Sequence, residues 1–301
     1  MFAFLIRHSL LFMFLAAILG FLLPSLSLTI FPFLSYVLFS LMTLTLLGIK
    51  QNALILRLRD KKIWGYALLH AVFYMLFIGA IGWLFSANAS LQLAMVSVAA
   101  TGSLFATPAI VRALGFDSVE AMAMTIATTL FLPVVIFITL LFYQGDSVHL
   151  DLVSYFLRLV IFVFGPMAFS FVVHTFAPRE ALDRMLLKIS PYTILLVFVF
   201  PFGLIGSFRV LYNTDPMAAL NYLLIATGLC VLFFFVSLAM YWRSGKEMAL
   251  IAAITSGNRN VLLTYSIAGA LLGPAFLPLA GALQLPTSLL PIMTRWLNKR
   301  L

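Results

Sequence analysis

The chain has 301 residues, 64% of them hydrophobic and only 9% charged, with a mean hydropathy of +1.15. So little polar surface excludes a soluble domain and points to an integral, multi-pass membrane protein. The net charge of +9 would suggest nucleic acid in a soluble chain; here it belongs to loops flanking a lipid bilayer, and no nucleic-acid partner is expected.

Ten apolar segments follow one another at approximately 4–23, 30–49, 63–85, 90–115, 118–142, 153–175, 190–209, 216–242, 247–272 and 275–296. The first is as long as a full span, and no small-x-small site follows it before Pro24, so it reads as a retained helix rather than a signal peptide. With the N-terminus inside, the cytoplasmic side holds Arg7, Lys50, Arg57, Arg59, Lys61, Lys62, Arg112, Arg179, Arg184, Lys188, Arg243, Lys246, Arg295, Lys299 and Arg300, which is 15 of the 18 basic residues. Arg158 and Arg209 lie toward the opposite side, and Arg259 within the membrane. That asymmetry predicts an inner (plasma) membrane protein with both termini cytoplasmic and an even number of spans.

The exterior loop at 143–152, with Asp146, His149 and Asp151, is the natural seam between two five-span halves. An odd number per half makes the second half enter from the other side, an inverted repeat. Each half carries a helix-breaking stretch in its fourth span. In the first half it is TGSLFATPAIVRALG, where Pro108 removes a backbone donor and forces a kink or opening. In the second it is Thr255-Ser256-Gly257-Asn258-Arg259-Asn260, polar residues in the middle of an apolar run. Such a break survives at membrane depth only against protein or a water-filled cavity.

All nine acids (Asp60, Asp117, Glu120, Asp146, Asp151, Glu180, Asp183, Asp215, Glu247) fall in loops or at span ends, so none is placed to neutralise Arg259. Its partner is either backbone carbonyls or a solute from outside, and a carboxylate suits a guanidinium. The lone Cys230 excludes an intramolecular disulfide, and the four histidines (His8, His70, His149, His174) have no ligand spacing. Phosphate-loop, H-E-x-x-H and G-x-S-x-G patterns are missing, so ATP-driven transport and hydrolase chemistry have no support.

Three runs, LLPSLSLTIFPFLSYVLFSLMTLTLLGIK, LFATPAIVRALGFDSVEAMAMTIATTLFLP and ITSGNRNVLL, together resemble the bile acid:sodium symporter family over most of the chain. The resemblance implies an all-α fold of ten transmembrane helices in two inverted five-helix repeats, with broken helices 4 and 9 crossing at mid-membrane. It implies panel helices 1–2 in residues 1–62 and 6–7 in 146–213, and core helices 3–5 in 63–145 and 8–10 in 214–301. Substrate would sit between panel and core in a monomer, with two Na⁺ sites behind the crossing. Thr107 and Thr125 stand where the family has hydroxyl ligands of the first site. Pro108 replaces an asparagine, and Thr255 replaces the glutamate shared by both sites. In the second site His70 and Arg259 replace glutamines, while Asn260 matches an asparagine.

Loss of the carboxylate and gain of a guanidinium argue against Na⁺ coupling. Either Arg259 supplies permanently the charge that Na⁺ would bring, or His70 titrates and couples transport to H⁺, or His70 is merely packed. The expected function is therefore alternating-access transport of a small organic anion. The candidate binding residues are His70, Thr101, Ser103, Thr107, Pro108, Thr125, Thr255, Ser256, Asn258, Arg259 and Asn260, with Thr128 and Thr129 lining the same cavity. Na⁺ at Thr107, Thr125 and Thr255 is the weaker option, and no other cofactor is implied. The alternatives are an efflux permease of the auxin-efflux or arsenite type, and a non-transporting sensor on the same scaffold. No nucleophile–base pair or paired carboxylates support an enzyme.

Overall fold

A computed structural model describes residues 8–49, 51–84, 88–144, 152–189 and 193–301. Arg7, Lys50 and the expected exterior loop with Asp146, His149 and Asp151, including the seam at 145/146, lie outside them. The chain opens with α1 (Ser9–Leu22), α2 (Pro24–Leu47), a short α3 (Gln51–Leu58) and α4 (Lys61–Leu84). Then come α5 (Ala89–Ala100), α6 (Thr107–Ala113), α7 (Ser118–Gln144) and α8 (Val153–Phe176). The amphipathic α9 (Arg179–Ile189) leads to α10 (Thr193–Thr214) and α11 (Pro216–Tyr241). The last three are α12 (Lys246–Gly257), α13 (Val261–Ala268) and α14 (Phe276–Arg300).

Seven of these, α2, α4, α7, α8, α10, α11 and α14, are long and apolar enough to cross a membrane, which makes this an all-α, multi-pass membrane protein. Of the other three expected spans, the first is described only from residue 8 onward, where it holds the 14-residue α1. The other two are divided. Segment 90–115 divides into α5 and α6, and segment 247–272 into α12 and α13.

Two expectations need correction. Pro108 does not interrupt a helix: it sits in the first turn of α6, where its missing N–H would have had no partner anyway. The interruption lies just before it, at 101–106. Residues 24–29, which read as a connection, form the start of α2. Pro24 supplies the first turn, and Ser27 is buried because its hydroxyl donates to the carbonyls of Phe202 (2.7 Å) and Gly203 (3.2 Å) on α10. Serine composition alone does not show that partner.

Two sets of packed helices can be traced, with α14 lying against members of both. One contains α1, α2, α8 and α10, with α10 against α1 and α2, and α8 against α2. In the other, α7 lies on α4, α5, α6 and α12, while α14 lies on α5, α11 and α12. The groups meet chiefly where α10 crosses α14. There Gly281 has no room for a Cβ, which would stand 2.8 Å from the Leu204 carbonyl and 2.9 Å from Phe208 Cβ and Ser207 Oγ. Ser207 also donates to the Leu277 carbonyl (2.8 Å), and Ser35 on α2 bonds Ser266 on α13 (3.0 Å).

Basic residues collect at one end of the bundle. Arg57 pairs with Asp117 (3.3 Å) and Glu120 (3.1 Å), Tyr241 donates to the Lys62 carbonyl, and Lys246 donates to the Asn298 carbonyl.

Candidate functional site

The two interruptions meet. Backbone at 102–104 runs antiparallel to 258–260, pairing Ser103 with Arg259 as an isolated bridge. The Leu104 N–H donates to the Asn258 carbonyl and the Asn260 N–H to the Gly102 carbonyl, each at 2.8 Å. Groups freed by the helix breaks therefore satisfy one another, which is what allows non-helical backbone to lie inside apolar protein. Gly102 is required by close approach: a Cβ there would stand 3.2 Å from Thr129 Cα and 3.3 Å from its N and Oγ1.

Arg259 is 3% exposed and its guanidinium is held by main chain. The two hydrogens of Nη1 are divided among the carbonyls of Ala99 (2.9 Å), Thr101 (2.9 Å) and His70 (3.1 Å), so that one of them is shared. The first two lie at the C-terminal end of α5, the negative end of its dipole. The third belongs to a widened π turn at Leu69–Phe73, which turns the His70 carbonyl away from the ordinary helical ladder. The guanidinium carbon also stands 3.9 Å over the Phe233 ring and 5.0 Å from that of Tyr74. Of the two partners open to Arg259, the structure supplies backbone carbonyls. It is a buried cation clamped into the scaffold, with Nε and Nη2 left without partners.

His70 is fully buried beside it. Its Nε2 lies 3.0 Å from the Thr101 carbonyl, which can only accept, so Nε2 carries the hydrogen. Nδ1 then accepts from Tyr66 (3.2 Å) or Ser256 (3.4 Å). From there hydroxyls run in a chain: Tyr66 to Ser256 (3.0 Å), Ser256 to Ser237 (2.6 Å), and Ser237 to Tyr74 (2.8 Å), which donates to the Phe233 carbonyl. Tyr66, Tyr74 and Ser237 were not legible as site residues, because an isolated tyrosine or serine in a span reads as ordinary helix surface.

The remaining predicted residues divide. Thr101 donates to the Ser97 carbonyl (2.7 Å) and accepts from Thr264 across the crossing (2.9 Å). Ser103 donates to the Thr255 carbonyl (2.8 Å), while the Ser103 N–H donates to Thr128 Oγ1 (3.0 Å). Thr125 and Thr255 donate to the carbonyls four residues earlier, Ala121 and Ile251. Thr107 and Thr129 are fully buried with hydroxyls that have no partner. Pro108 is a helix-starting residue with no polar contact to offer. Asn260 caps α13 by accepting from the Leu263 N–H, and Asn258 donates to the Ile254 carbonyl.

These residues do not fit Na⁺. Thr107, Thr125 and Thr255 offer neutral hydroxyls only, the described acids stand at helix ends or loops, and Arg259 already brings a positive charge.

Between the crossing and α10 lies a cavity lined by Leu104, Asn258, Arg259, Val261 and Leu262, by Phe200 and Leu204 of α10, and by Gln284 and Thr287 of α14. Its volume of about 20 Å³ holds about one water. That is too small for an organic solute in this arrangement of the helices. Gln284 and Thr287 escaped the sequence reading, although a polar pair three residues apart in an apolar helix is a usable signal. No protein-family model and no curated protein matches the chain.

Proposed function

We propose that this protein is a secondary transporter of small organic anions working by alternating access, with ten membrane-crossing segments in two inverted halves of the bile acid:sodium symporter type. The observation that carries this reading is the antiparallel meeting of two interrupted helices, one from each half of the chain, beside a cavity closed by a helix of the other group. Soluble folds have little use for such a device; in a membrane it creates hydrogen-bonding backbone at the depth where a solute must be held.

In this reading α1, α2, α8 and α10 are the panel and the remaining long helices the core. Solute binds between Asn258, Gln284 and Thr287 on one side and Phe200 and Leu204 on the other, after the Gly281 contact opens. Arg259 does not grip the solute. Its charge, answered by no carboxylate, makes the middle of the protein positive, and that favours an anion over a cation. The same fixed charge makes a bound Na⁺ redundant, so transport is facilitative or an exchange.

The test is uptake of a carboxylate panel into proteoliposomes, varying Na⁺, pH and membrane potential separately. Saturable carboxylate uptake that is indifferent to Na⁺ is expected. Steep Na⁺ dependence would overturn the uncoupled cycle, and uptake of none of the carboxylates would overturn the substrate class.

A further inference from the structure

The second half of α4 parts from α7. Up to the π turn at Leu69–Phe73 the two helices pack on each other; past it they diverge, and α5 lies against both. A π turn is an ordinary cause of such a change in direction. The divergence leaves a groove of about 350 Å³, a volume in the range that small-molecule sites occupy. Met75, Gly79 and Trp83 of α4 form one wall, Thr139, Phe142 and Tyr143 of α7 the other, and Gln92 and Val96 of α5 the floor.

What stands at its mouth is the bilayer. Trp83 is 79% and Phe142 81% exposed, and both belong to helices long and apolar enough to cross a membrane. Polarity changes along the groove. Toward the ends of α4 and α7 it holds Trp83, Tyr143 and the amide of Gln92, whose Nε2 donates to the Gly79 carbonyl (3.3 Å). Further in, the wall and floor are Thr139 and Val96, each only 2% exposed. The Thr139 hydroxyl already donates to the Val135 carbonyl (2.8 Å), with the Met75 sulfur 3.3 Å away, so it asks nothing of an occupant. The occupant that fits is polar at the membrane surface, where tryptophan and tyrosine belong, and hydrocarbon below it. A bilayer lipid has that shape.

We propose that this groove binds one phospholipid, drawn from the leaflet at the end away from the basic residues, with an acyl chain lying between α4 and α7 against α5. Close packing is the rule inside proteins, and here the chain supplies the atoms that the diverging helices do not. The site is separate from the cavity beside α10. It rests on the protein lying in a bilayer and not on its being a transporter.

The test uses the full chain in proteoliposomes containing a small fraction of phosphatidylcholine with a diazirine at the end of one acyl chain, crosslinks being mapped by peptide mass spectrometry. Surrounding lipid reaches exposed side chains, and Phe235 on α11 serves as the reference for it. Label on Val96 and Thr139 at least equal to that on Phe235 is expected, because only a chain inside the groove reaches them. A diazirine placed beside the ester should move the label to Trp83 and Tyr143. Ala80→Phe, on the exposed wall of the groove, should lower the label on Val96 and Thr139 several-fold and leave that on Phe235 and the melting temperature unchanged; Ala80→Leu replaces it if phenylalanine lowers the melting temperature. Label confined to exposed residues, the reverse order of the two probes, or deep label that survives in the folded Ala80 variant would each overturn the proposal. So would deep label from a photoreactive free fatty acid but not from the phospholipid.

Discussion

At the scale of single residues, Arg259 decides most. Its Nη1 closes two carbonyls at the end of α5 and one in the π turn of α4, and its plane covers Phe233. Arg259→Ala opens those carbonyls inside the protein, and a buried acceptor left unmade costs about 1–3 kcal/mol. The expected loss for this variant is therefore about 3 kcal/mol, after the relief of a desolvated charge is set against it. Arg259→Lys retains hydrogen-bond donors but loses the stacked plane, so it should melt between the two. Arg259→Gln should still insert and fold while losing or changing transport. Thermal melting in detergent ranks the three; an alanine variant that melts like the unmodified protein would show that the clamp contributes nothing. The sequence made Arg259 conspicuous, because a guanidinium in an apolar run has few explanations. It did not say which partner would win, since carbonyls of Ala99 and His70 come from distant parts of the chain.

At the scale of elements, α10 and α14 approach each other closely. A Cβ at Gly281 would stand 2.8–2.9 Å from a carbonyl, a Cβ and a hydroxyl, and none of these is the far end of a long, flexible side chain. Gly281→Ala must push the helices apart, with a typical overpacking cost of about 1–3 kcal/mol. Gly228, in α11, has nothing within 4 Å of its Cβ position. Gly228→Ala should therefore be neutral or gain up to about 1 kcal/mol from helix propensity. In a Cys230→Ser background, a cysteine at Thr287 should react faster with a maleimide in Gly281→Ala than in Gly228→Ala. Equal rates would mean that α10 and α14 do not close the cavity. Glycines in a span only permit close approach; which one is essential depends on the helix opposite.

At the scale of the whole molecule, several residues of the basic loops are held together at one end of the bundle. Arg57, Lys62, Lys246 and Asn298 are brought to one end by the ion pairs of Arg57 and the bonds to the Lys62 and Asn298 carbonyls. Arg209 stacks on Phe21 and Tyr212 elsewhere in the bundle. Again in a Cys230→Ser background, cysteines at Ser244 and Leu301 should be labelled by an impermeant maleimide only after cytoplasmic access is given, and one at Thr214 from outside intact cells. Labelling of Ser244 and Thr214 from the same side would refute the orientation. The ion pairs themselves are partly exposed and contribute little stability. Their place in the molecule is to tie α3, the connection between the helix groups, to α7.

Composition determined that the chain lives in a bilayer, and apolar runs of about 20 residues that it crosses as helices and not as a closed barrel, the two ways lipid leaves the backbone to satisfy its hydrogen bonds. Patterning along the chain also pointed to the two stretches, 101–115 and 255–260, within which helix breaks, although the breaks themselves fall at 101–106 and 258–260. Only the tertiary structure decided what those stretches do: that they pair with each other, that Pro108 begins a helix, that Arg259 is held by carbonyls, and that Gln284 and Thr287 face the cavity. The physical reason is the same in each instance. Hydropathy is a property of one segment against its solvent, whereas a hydrogen bond to a carbonyl 158 or 189 residues away exists only once the helices carrying both partners have packed.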